Sequence, residues 1–118
     1  MVETVRVRGQ RGSWNARVIE WAEDLPCVHR HFWSDAADYV EPEPVTGDPA
    51  FTPWLALLRQ KRRCILTADR IDPSKPLGAG HFMRDGYVAV FEIDDIAHDE
   101  HGLRFRFVRP LAKVRRAR

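Results

Sequence analysis

The chain has 118 residues, 44% hydrophobic and 10% aromatic, which supplies one hydrophobic core and leaves too little length for two ordinary domains. Nineteen Lys and Arg stand against 17 Asp and Glu, a formal charge of +2, so bulk charge does not direct the chain to a polyanion and any basic site must be local. Two cysteines, Cys27 and Cys64, lie far apart without CxxC spacing, which argues against a disulfide scaffold and a zinc ribbon and points to a reducing compartment.

The opening MVETVRVRGQ alternates polar and apolar residues and does not read as a signal peptide. No window approaches the roughly 20 apolar residues of a membrane helix. The expectation is a cytoplasmic single domain over residues 1–118, with no membrane partner and a basic end, 112–118, that frays.

In chain order, residues 4–8 (TVRVR) and 13–19 (SWNARVI) alternate around the Gly9 to Gly12 turn and predict a hairpin. Val5 and Val7 point inward, with Trp14, Ala16 and Val18 facing them, while Arg6 and Arg8 point outward. Residues 25–33 (LPCVHRHFW) predict a third strand, and the acidic, proline-interrupted stretch 34–48 predicts a long loop. Behind Asp48 or Thr52 as cap, Phe51, Trp54, Leu55 and Leu58 fall at i, i+3, i+4 and i+7 and predict the one main helix, which closes on Arg59 to Arg63. Residues 64–68 (CILTA) predict a buried strand and 69–85 a second long loop. Residues 86–96 and 102–109 predict a closing hairpin around the turn AHDEHG, with Leu103, Phe105 and Phe107 inward and Arg104 and Arg106 outward.

These elements make a β-rich α+β domain, a small strongly curved sheet or pseudo-barrel with one helix beside it. The order helix, CILTA, GYVAVFEIDDI, GLRFRFVRPL over residues 64–111 resembles the closing portion of PUA-like domains such as the EVE and ASCH families. There, a strand of the type Gly-hydrophobic-hydrophobic-Ala-hydrophobic-hydrophobic-Glu-hydrophobic precedes the strand that completes a pseudo-barrel. The first half of the chain has no counterpart of those families' opening segment, and its acidic Pro-rich loop is foreign to them. The resemblance implies recognition of RNA or of a modified base in a pocket between barrel and loops.

Three functions compete. The first is a non-enzymatic module for nucleic acid, because phosphate binding needs cations gathered on one face. Arg6, Arg8, Arg11 and Arg17 gather on the first hairpin, and Arg104 and Arg106 form a second strip together with Lys113, Arg115, Arg116 and Arg118. Trp14, Trp33, His81 and Phe82 are the candidate pocket residues, where rings could stack on bases. Against it stands the ordinary charged face of a solvated strand.

The second is a metal- or thiol-dependent hydrolase using Cys27, His29 and His31, which share a face of one strand. Three ligands on one straight strand span about 13 Å and do not converge on an ion without a bend. The carboxylates Glu92, Asp94 and Asp95 and the turn His98 to His101 are weaker cation candidates with ordinary surface explanations. The third is a protein-interaction subunit docking through 34–48, or a homodimer joined at a sheet edge. No cofactor is expected.

Overall fold

The computed structural model describes residues 2–9, 14–32, 38–42, 44–75 and 82–116, the side chains of His31, Phe82, Met83 and Arg116 excepted. The opening alternation becomes the hairpin of β1 (Glu3–Gly9) and β2 (Asn15–Val18), with Val7 opposite Val18 and Arg8 opposite Arg17. Successive side chains take opposite faces, so Val5, Val7, Ala16 and Val18 are buried and Arg6, Arg8 and Arg17 are exposed. Trp14 leaves the expected column: its ring packs edge-on against Phe51 and Trp54, at centroid distances of 6.2 and 5.9 Å.

The third strand, β3 (Glu23–His29), starts and stops earlier than expected, because the chain turns into the 3-10 segment Arg30–Phe32. His31 therefore lies outside the strand, and the shared face of Cys27, His29 and His31 does not form. The expected loop 34–48 contains β4 (Asp38–Glu41). Tyr39 explains this strand: it is fully buried, stacked 4.4 Å from Phe105, and its hydroxyl donates to Glu41 Oε1 at 2.7 Å. β4 ends the strand order beside β7, a position that tolerates the following Pro42.

Helix α1 (Phe51–Lys61) buries the four residues that its spacing predicts, Phe51, Trp54, Leu55 and Leu58. Asp48 Oδ1 accepts the Ala50 amide at 2.8 Å, and Pro53 sits in the first turn, where its missing N–H costs no helical bond. The helix ends at Arg62, in the left-handed region with φ 54°. Trp54 Nε1 donates to the Cys27 carbonyl at 3.1 Å and pins α1 to β3.

β5 (Arg63–Ile71), β6 (Phe82–Asp99) and β7 (Gly102–Arg116) all outrun their expected lengths. The expected 69–85 loop is strand over 69–71 and 82–85, and 76–81 lie outside the described residues. The segment expected to fray is strand as far as Arg116: it pairs in parallel with β1, Glu3 opposite Ala112 and Arg6 opposite Arg115, and Ala112 is fully buried.

The sheet runs β1-β2-β3-β5-β6-β7-β4, and the β1–β7 pairing closes its first six strands into a ring. β3 and β5 are parallel, joined by the crossover that carries β4 and α1. Val5, Val7, Val18, Leu25, Ile65 and Val90 belong to one core cluster, lining the ring. A second cluster joins α1 to β4 and to the aromatic half of β7 through Trp54, Leu58, Tyr39, Phe105 and Phe107. No helix among the described residues is long and apolar enough to cross a membrane.

Candidate functional site

The edge of β7 that faces away from β6 is shared: Leu103 to Arg106 pair with β4, and Ala112 to Arg116 pair with β1. The β1 partnership extends the first hairpin into one continuous outer surface. Register places Arg6 beside Arg115, Arg8 beside Arg17 and Thr4 beside Lys113, all exposed. Two carboxylates serve these five cations: Glu20 binds Arg6 at 3.0 Å and Asp24 binds Arg17 at 3.0 Å. A hydrogen bond from the Arg6 amide holds Glu20 below the usual carboxylate range. Arg8, Lys113 and Arg115 form no ion pair among the described residues. Lys113 and Arg115 thus join the first hairpin rather than the strip of Arg104 and Arg106.

That strip is neutralised. Arg104 Nη2 lies 2.6 Å from Asp99, and Arg106 contacts Asp94 at 2.9 Å and Asp95 at 3.7 Å, with Asp38 opposite it in register. Hydrogen bonds from Arg106 hold the Asp94 carboxyl below its usual range. A shallow cavity of about 390 Å³ opens here between Val40, Ala97 and the two arginines, but four carboxylates ring two cations. Glu92 is likewise held by Arg109 at 2.8 Å.

A third constellation sits where the apolar lining of the ring ends. Register aligns His29, Thr67 and Tyr87 across β3, β5 and β6, with Asp69 opposite Arg84 in the next row. Asp69 Oδ2 binds His29 Nδ1 at 2.7 Å and accepts the Thr67 hydroxyl at 2.6 Å, which also reaches the Val28 carbonyl at 3.1 Å. Burial raises the Asp69 carboxyl, but the bonds from His29 and Thr67 outweigh it and leave it below the usual range. The Arg84 guanidinium lies 5.4 Å from the centre of the Tyr87 ring, and its Nη1 donates to the Tyr87 hydroxyl at 3.4 Å. Gly9 is needed beneath that hydroxyl, since a Cβ there would collide with it. On the other side of His29, burial raises the Glu41 carboxyl.

The sequence left Thr67, Arg84, Tyr87 and Glu41 out of its site and gave Asp69 no defined role. The available signal was a change of character at a strand end: Leu25, Cys27, His29 and Ile65, Thr67, Asp69 each pass from apolar to polar along one alternation. Trp14 serves the helix core, and Arg11, Trp33 and His81, with the Phe82 side chain, lie outside the described residues. Cys27 is buried in the ring core and burial pushes its thiol up to about 11, which suppresses the thiolate a nucleophile requires. Among the described residues no group of three His, Cys, Asp or Glu is arranged to hold a metal ion. Comparison of the chain with family models, with curated proteins and with solved structures gives no match.

Proposed function

We propose that this chain is a PUA-like, non-enzymatic module that binds nucleic acid by gripping the sugar-phosphate backbone on the outer face of β2, β1 and the last residues of β7. The observation that carries the reading is the five-to-two ratio of cations to carboxylates where Arg6, Arg8, Arg17, Lys113 and Arg115 meet in register. Unpaired cations on a rigid sheet release condensed counterions when they meet phosphates, and the sheet holds them without the entropy cost of ordering a loop. The closed ring with a helix in its crossover supports the PUA-like assignment at the level of architecture. The test is fluorescence anisotropy of a labelled single-stranded RNA titrated with the protein at several salt concentrations. Binding whose logarithm falls linearly with that of salt, weakened at least about tenfold by Arg8→Glu with Arg115→Glu, is expected. Equal binding by wild type and the double variant, or none at about 50 mM salt, would overturn the reading.

A further inference from the structure

We propose that the ring end formed by His29, Asp69, Arg84 and Tyr87 is a binding site for a phosphomonoester, the terminal phosphate of a nucleic-acid strand; that this phosphate ends a strand rests on the nucleic-acid reading above. Three observations converge on it. The first is charge. Arg84, like Arg8 and Arg115, has no ion pair among the described residues, whereas Arg63 and Arg70 on the adjacent β5 are paired. The Asp69 carboxylate, only 2% exposed, is already occupied by His29 and Thr67. Arg84 is the cation of the cluster, and the Tyr87 hydroxyl beside it adds a donor. The Glu41 carboxyl of β4 also lies near His29, and the Phe32 ring packs edge-on against it. Arg84 and Tyr87 on β6, with His29 on β3 across the intervening β5, suit the tetrahedral oxygens of a phosphate.

The second observation is position. Arg8, on the basic face, is followed directly by Gly9, which touches the Tyr87 hydroxyl. A backbone lying along Arg6 and Arg8 therefore runs toward the ring end. The third is closure. Val7, Val18, Ile65 and Val90 fill the ring beyond, so no continuous strand can thread through and what reaches the polar end must terminate there.

The experiment compares four 12-nucleotide single-stranded RNAs of one sequence, bearing phosphate or hydroxyl at the 5′ end or at the 3′ end with the label opposite, in anisotropy titrations. At least a fivefold preference for one phosphorylated end is expected, lost in Arg84→Gln and reduced in Tyr87→Phe. Arg84 is exposed and Tyr87 half-buried, so circular dichroism should show the variants folded. Equal affinity for all four ends, or a preference unchanged in Arg84→Gln, would overturn the site while leaving the basic face standing if the four still bind with a salt-dependent affinity. Calorimetric titration with adenosine monophosphate separates the two sources of phosphate. Binding of the mononucleotide that Arg84→Gln abolishes, in a protein that binds none of the RNAs, would keep the phosphomonoester site and remove the strand.

Discussion

Both stretches of the β7 edge carry cations on their outward faces, on either side of a break in the alternation at 108–110, yet one is basic and the other is not. Beside β4, Arg104 and Arg106 are answered by Asp99, Asp94, Asp95 and Asp38. Beside β1, Lys113 and Arg115 meet Arg6 and Arg8, and among the described residues Glu20 and Asp24 supply the paired acids. The neighbouring strand decides the field, and which strand is the neighbour depends on pairings across the whole chain. An arginine count taken along one strand therefore says little about a phosphate site.

The largest expected effect comes from cutting the chain after Leu111. This removes the parallel ladder to β1 and the buried Ala112, and should cost on the order of 3 kcal/mol and broaden thermal unfolding monitored by circular dichroism. A truncated chain as stable as the full one would mean that the β1 side of the edge is not structural. Next, Arg8→Gln with Arg115→Gln should lower the salt slope of RNA binding by about 1.4, at roughly 0.7 per single-strand phosphate contact, whereas Arg104→Gln with Arg106→Gln should leave it unchanged. The converse is sharper still: Asp94→Asn with Asp95→Asn and Asp38→Asn frees Arg106 and should raise the slope by about 0.7. No rise would show that acids in register are not what silences the strip.

A smaller effect is expected at Glu41, beside Leu103 on the β4 side. Burial raises this carboxyl in the folded chain, so the folded state holds its proton at pH values where the unfolded chain has released it. Its ionisation therefore costs stability, increasingly as pH rises above the unfolded value of about 4.3. Glu41→Gln, which keeps an acceptor for the Tyr39 hydroxyl, should raise the unfolding midpoint at pH 7, with the gain vanishing near pH 4. Last, Cys27 and Cys64 should resist alkylation at pH 7.5 until denaturant is added, because burial raises both thiols.

Local pattern carried much of the architecture. The hairpins around 9–15 and 99–102 and the helix face Phe51, Trp54, Leu55 and Leu58 follow from periods of two and 3.6 and from turn residues. Where the reading failed, a distant partner had decided. β4 looks like loop until Phe105 stacks on Tyr39, and 112–116 looks like a loose end until β1 pairs with it. The candidate sites divide the same way. Arg6, Arg8 and Arg17 were visible as outward residues of one hairpin, but their union with Arg115 depends on ring closure. The bond between His29 and Asp69 spans 40 residues, and no periodicity announces it.

The parallel pairing of β1 with the end of β7 also bears on how the molecule is made. Its partners, Glu3 with Ala112 through Val7 with Arg116, lie about a hundred residues apart, the most distant pairing in the sheet. Such contacts must absorb the entropy of closing the whole chain before they return any stability, so β1 is expected to wait for β7 while the hairpins and the helix form around it. A nascent chain that has not yet released the end of β7 from the exit tunnel would hold an open sheet, its first strand exposing Val5 and Val7 and lacking one neighbour.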